Sequence, residues 1–153
     1  RQAFQDMPEI AELSKNIIVE ETRDGLDISI VDQDGRAMFP DGGLYPYDRT
    51  RRVLERLAPT LRRMPNRVTV TGHTAATRPG QRQLGNPWEL TSGRAATVRE
   101  ILASSGVPDD RFAGIAGKAD VEPLFPDNPY LAPNRRVTIT LLKEASPLPA
   151  GKP

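Results

Sequence analysis

Arg94 stands among small residues at the head of a helical pattern, Asn86-Pro-Trp-Glu-Leu-Thr-Ser-Gly-Arg-Ala-Ala-Thr-Val-Arg-Glu-Ile-Leu102. A second cationic stretch, Asn134-Arg135-Arg136, opens an alternating run that ends near Leu142. An arginine on a packed helix loses its hydration, which is costly unless something anionic meets it. Its planar fork meets a carboxylate through two parallel hydrogen bonds. The two stretches together point to a binding module for an anionic ligand.

Catalytic chemistry finds little footing. His73 is the only histidine and there is no cysteine, so neither a His-based metal cluster nor a thiolate site can form. No serine nucleophile has an evident setting beside His73, which reads as a hydrogen-bonded structural residue. The acidic residues are scattered, and spacing alone assigns no pair to glycoside cleavage. Gly42-Gly43 lacks the Gly-Lys-Ser/Thr continuation of a phosphate loop. The expectation is a non-enzyme without cofactor or metal.

The 153 residues suffice for one domain with appended ends. A hydrophobic content of 37% and a charged content of 27% suit a water-soluble globular chain. No apolar run approaches the ~20 residues that span a bilayer. No signal peptide is visible, and the chain starts at Arg1 without Met, as a piece of a longer protein would. The net charge of +1 hides an asymmetry. Residues 1–48 hold 4 basic and 11 acidic residues, and residues 49–105 hold 11 basic and 3 acidic. Arg49, Arg51, Arg52, Arg56, Arg62 and Arg63 read as the solvated face of an amphipathic helix. No aromatic residues interleave with them as stacking platforms, which argues against nucleic acid.

Local patterns supply the elements that would position these groups. Residues 2–15 read as a helix, with Asp6 as its N-cap and Pro8 in its first turn. Ile17–Thr22 and Leu26–Val31 read as strands joined at Asp24-Gly25. A Gly- and Pro-rich loop runs from Met38 to Asp48. Asp48 then caps a helix to about Met64, in which Pro59 should give a kink or an early break. Arg67–His73 alternates as a strand, and Thr74–Pro87 is a polar loop. The Arg94 helix follows, from Pro87 or Trp88 to Ser104, stopped by Gly106-Val-Pro108. Phe112–Gly117 and Arg135–Leu142 are further strands, separated by a Pro-rich loop. The tail from Ala145 is rich in Pro, Ala and Gly and reads as disordered. This order predicts an α+β sandwich, a mixed sheet with helices packed on one face. It comprises a linker helix over 1–16, a domain over 17–143 and a tail over 144–153.

The motifs Thr71-Gly-His-Thr74, Leu90-Thr-Ser-Gly-Arg-Ala95 with Val98, and Asn134-Arg-Arg-Val137 resemble the OmpA-like peptidoglycan-binding domain. The match runs from about residue 26 to 142. Trp88-Glu-Leu90 and Pro123-Leu-Phe-Pro-Asp-Asn-Pro-Tyr130 narrow it toward the periplasmic domains of the MotB family of flagellar stator proteins. The resemblance implies binding to the stem peptide of peptidoglycan, commonly through diaminopimelate, with Arg94 pairing a ligand carboxylate. The intramolecular alternative pairs Arg94 with Asp120 or Glu89. Thr74, Leu90, Asn134 and Arg135 complete the implied site, although Leu90 also reads as core and Asn134 as the residue fixing a turn. Alternation places Arg135 on the side of Val137 and Arg136 opposite, and Arg135 is favoured for the ligand.

One position departs from the family pattern. Where many members have Gly-His-Thr-Asp, with the Asp facing an ammonium, this chain has Gly72-His-Thr-Ala75. Thr74, a backbone carbonyl or Asp120 must replace it, or wall affinity is weak. The resemblance further implies a periplasmic homodimer, attached to a membrane stator partner through a preceding segment. The alternatives are a general envelope anchor of the OmpA or Pal type, and an oligomerisation domain with weak or lost wall binding.

Overall fold

In the computed structural model, which describes residues 16–83 and 85–143, alternating apolar residues build a five-stranded mixed sheet. The strands are β1 (Ile17–Thr22), β2 (Gly25–Val31), β3 (Val68–His73), β4 (Phe112–Gly117) and β5 (Arg136–Leu142), and their order is β1-β2-β5-β3-β4. Only β3 and β4 run parallel. The period of two puts Leu26, Ile28 and Ile30 of β2, Val68 and Val70 of β3, and Val137, Ile139 and Leu141 of β5 into one core. The opposite face carries hydroxyls and charges. There Ser29 and Thr138 share a 2.8 Å hydrogen bond, and Thr140 donates to Asp27 at 2.7 Å.

Two helices cover the apolar face. Helix α1 (Asp48–Arg63) contributes Val53, Leu54, Leu57, Ala58 and Leu61, and helix α2 (Pro87–Ser104) contributes Ala95, Val98, Ile101 and Leu102. The result is the expected α+β sandwich with helices on one face.

Several boundaries differ from the sequence reading. The β1–β2 turn centres on Arg23-Asp24, and Gly25 is the first paired residue of β2, opposite Thr22. Tyr47, not Asp48, is the N-cap of α1, and it supplies no side-chain cap. Pro59 neither ends nor shortens α1. It lacks the N–H that would reach back to the Glu55 carbonyl, but the buried Ala58, Thr60 and Leu61 seat the last turn. β5 begins at Arg136, because Ala132–Asn134 winds into a 3-10 turn and leaves Arg135 at the junction. The expected helix over 2–15 and the tail from Ala145 lie outside the described residues.

Two features of this topology place the site. β5 is central, between β2 and β3, so its first residues meet the last residues of β2 and β3. The β3–α2–β4 crossover lays the start of α2 over the ends of β3 and β4. The approach is close at Gly72 and Gly117. A Cβ on Gly72 would stand 2.9 Å from the Thr91 carbonyl carbon, and one on Gly117 would stand 2.6 Å from Thr91 Oγ1.

Candidate functional site

Arg94 is held in place by the way α2 starts. Asn86 caps the helix, accepting hydrogen bonds from Trp88 N at 2.8 Å and Glu89 N at 3.3 Å, and Pro87 occupies the first turn. Thr91 is fully buried, donating to Pro87 O at 2.8 Å and accepting from Ala119 N at 3.1 Å. This pins the helix to the loop after β4. Arg94 lies three residues on, on the same inward face.

The Arg94 side chain is only 8% exposed. Nε donates to Gly43 O at 2.8 Å and Nη2 to Pro40 O at 3.1 Å. The guanidinium carbon lies 4.5 Å from the Phe39 ring centroid, a cation–π contact. No carboxylate pairs with it among the described residues, and Nη1 has no hydrogen-bond partner among them. Neither Asp120 nor Glu89, the acids weighed from sequence, is its partner. Burial pulls its pKa below the ordinary arginine value. Asp32 and Asp41 act against that pull, while Arg135 adds to it. It remains a cation.

A cleft of about 440 Å³ opens beside this guanidinium. Arg94, Thr74, Leu90 and Arg135 line it, as do Ala75, Asp32, Phe39 and Asp41. Thr74 sits at the end of β3, its N–H bonded to Ala119 O at 2.9 Å. Arg135 is committed to an ion pair, its Nε 2.8 Å from Asp32 Oδ2. Asp32 is buried and also accepts from Met38 N at 2.7 Å through Oδ1, so it ties the 38–46 loop to the start of β5.

Asn134, expected in the site, is not among the residues that line the cleft. Its side chain is fully buried, accepting from Phe125 N at 2.8 Å and donating to Asn128 O at 2.9 Å. It secures the Pro-rich loop, as an asparagine with both amide ends engaged does. Arg136 points to the polar face of the sheet, where Nη2 donates to Glu122 O at 3.0 Å. His73 is its cross-strand neighbour. Burial, then Arg136 and Lys118, lower the His73 pKa to about 3, so this imidazole is neutral near pH 7.

Sequence reasoning missed Asp32, Phe39 and Asp41. Asp32 carries a usable signal, an acid directly after an alternating apolar strand. Phe39 and Asp41 lie in an irregular loop and carry none. Among the described residues no cluster of three His, Cys, Asp or Glu could hold a metal ion, and no helix is long and apolar enough to cross a membrane. The arrangement can present a fixed, poorly hydrated cation to a small anionic group.

Comparison with known proteins bears on the family and the fold. The putative truncated flagellar export/assembly protein LafU of Escherichia coli (strain K12) is 32% identical over 138 residues, spanning 89% of this chain and 64% of its own length. Motility protein B of Escherichia coli (strain K12) is 29% identical over 145 residues, spanning 94% of this chain and 47% of its own length. The chain therefore spans between about half and two thirds of these relatives. Among solved structures, the cell wall anchor of the T6SS from Pseudomonas aeruginosa superposes with a TM-score of 0.69 at 27% identity, covering 89% of this chain and 95% of that one. The sequence pattern of the OmpA family matches residues 46–136, from just before α1 to the start of β5. Thr74, Leu90, Arg94, Asn134 and Arg135 all fall within it, and the chain belongs to the OmpA family.

Proposed function

We propose that this domain binds peptidoglycan without catalysis, clasping a stem-peptide carboxylate with Arg94, and that it thereby anchors a flagellar stator to the cell wall. The carrying observation is a buried guanidinium with no carboxylate of its own, beside an open cleft. An uncompensated buried cation is destabilising by several kcal/mol. The two carbonyls and the Phe39 ring offset part of that, and a ligand carboxylate at Nη1 offsets more. Thr74 and Leu90 form the walls, and Arg135 is a second cation held at the rim by Asp32.

The flagellar names of the two sequence relatives support the stator role. That role places the domain in the periplasm of an inner-membrane-anchored homodimer, with the acidic 1–48 and basic 49–105 regions favouring association. Similarity to the T6SS anchor favours a second reading, a wall anchor for another envelope machine.

Co-sedimentation with isolated peptidoglycan tests the binding role. The wild-type chain should pellet with the wall, and Arg94→Ala should stay in the supernatant while remaining folded. Undiminished pelleting of Arg94→Ala rejects the site. Deleting the domain from its host should abolish swimming if it serves a stator, whereas an intact swimmer with another envelope defect selects the second reading.

A further inference from the structure

The polar face of the sheet, opposite the helices, carries a second groove of about 920 Å³, which shares no lining residue with the Arg94 cleft. Five cations and three carboxylates line it. Strand alternation builds its floor. Thr69, Thr71 and His73 of β3 stand beside Thr140, Thr138 and Arg136 of β5. Arg136 and His73 form one end, joined there by Lys118, which follows β4 directly and donates its N–H to Gly72 O at 2.9 Å.

Arg136 is the unusual member of this lining. It is 9% exposed, and no carboxylate pairs with it among the described residues. Nη2 donates to the Glu122 carbonyl at 3.0 Å, while Nε and Nη1 are enclosed without a hydrogen-bond partner. Idle guanidinium nitrogens are not the habit of this fold, since Arg111 spends all three of its own on the carbonyls of Asn66 and Leu61. Burial opposes the Arg136 charge, and Glu122, Asp27 and Glu20 support it only through space. His73 is 6% exposed, and its Nδ1 also lacks a partner. After burial, it is Arg136 and Lys118 that hold this imidazole neutral, so the end of the groove is electropositive. An enclosed cation with little water to screen it projects its field into the groove.

We infer that this end of the groove is an oxyanion site, which takes a phosphate group between Arg136, Lys118 and the Thr71 hydroxyl. The guanidinium gives up a single contact, with the Glu122 carbonyl, to turn its idle nitrogens toward the ligand. Lys118 is tied only to the Glu122 carboxylate at 3.7 Å, an exposed and loose pair, so little is lost when it turns to an anion. Thr69 and Thr71 are half-buried, and neither hydroxyl has a hydrogen bond among the described residues. A fork, a three-donor ammonium and a hydroxyl converge from different directions, which suits a tetrahedral dianion better than a planar carboxylate. The phosphate is either free or borne by a sugar. In the second case Thr71 and Thr69, which run on from this end along the groove, meet the sugar hydroxyls. The site stands independently of the stem-peptide reading.

His73 is the only histidine, so its ring signals in a proton–carbon NMR spectrum report on this end of the groove alone. Sodium phosphate is titrated at about pH 7.5, where it is mostly dianionic, with sodium chloride holding the ionic strength constant. The His73 signals should shift along a saturating curve with a Kd of about 1 mM. Arg136→Gln should abolish the saturable shift. Lys118→Gln, a half-exposed change that leaves the guanidinium in place, should weaken binding about tenfold, the effect of one charge-assisted contact. Sodium acetate should bind at least about tenfold more weakly than phosphate. N-acetylglucosamine 1-phosphate separates the two sources. Binding about tenfold tighter than inorganic phosphate identifies a sugar phosphate, and equal affinity identifies the free ion. No saturable shift in wild type, or one that Lys118→Gln leaves unchanged, overturns the site. Acetate binding as tightly as phosphate overturns the choice of phosphate.

Discussion

Replacing Gly72 by alanine should displace the helix that carries the site. A Cβ there would fall inside contact distance of the Thr91 carbonyl oxygen, 2.9 Å from its carbon and 3.2 Å from Thr91 Cα. Ordinary contact begins near ~3.5 Å, so α2 must retreat by roughly half an ångström or more at this point. The obstacle is backbone within a helix, and no side chain can swing aside to relieve it. Overpacking of this kind costs about 1–3 kcal/mol, and a backbone collision belongs at the upper end. For a domain of this size about 3 kcal/mol lowers Tm by roughly 6–12 °C. Gly114→Ala is the matched control, because a Cβ on that glycine of β4 meets nothing within 4 Å. Its Tm should stay within about 2 °C of wild type. Thermal unfolding followed by circular dichroism measures both. At temperatures where Gly72→Ala is folded, its wall binding should also fall, since Arg94 moves with Thr91 and its carbonyl bonds at 2.8 and 3.1 Å stretch. Equal Tm values for the two variants would refute the claim that close approach at Gly72 seats the helix.

Other outcomes follow from individual side chains. His73 is held near 3 in the folded chain against an ordinary 6.5. The folded pKa is depressed, so the unfolded chain takes up the proton first as pH falls. Stability should be level above about pH 6.5 and decline from there toward pH 3, by about 1–2 kcal/mol at pH 5. Urea midpoints across that range should show the decline, and His73→Gln should flatten it. Asn134→Ala leaves Phe125 N without its acceptor and should cost about 1–3 kcal/mol in a urea titration. The folded Asn134→Ala protein should keep its peptidoglycan affinity, and a selective loss of binding would return Asn134 to the site.

The sequence made periodic elements legible and irregular ones opaque. Alternation in β2 and β5, and the 3–4 spacing of Val53, Leu54, Leu57, Ala58 and Leu61 in α1, follow from side-chain geometry and needed no tertiary knowledge. Pro59 misled because local backbone chemistry predicts a break, while burial on either side of it holds the helix together. Arg94, Thr74, Leu90 and Arg135 were singled out by motif, and the structure brings them to one cleft. Their surroundings were not readable. The groups that hold Arg94 are the carbonyls of Pro40 and Gly43, which every residue type possesses, reached across 51 and 54 positions of chain. Asp32 meets Arg135 across 103 positions, a pairing created only when β5 inserts beside β2. Asn134 was placed with the ligand because its motif neighbours belong there, yet the 3-10 turn rotates its amide into the Pro-rich loop.

The guanidinium of Arg94 can be watched directly. With nitrogen-15 in the arginine side chains, its Nε and Nη signals should shift as a diaminopimelate tripeptide is added, and they should saturate along the same curve as binding measured by calorimetry. Saturating heat with unmoved Arg94 signals would place the peptide elsewhere on the domain and contradict the account.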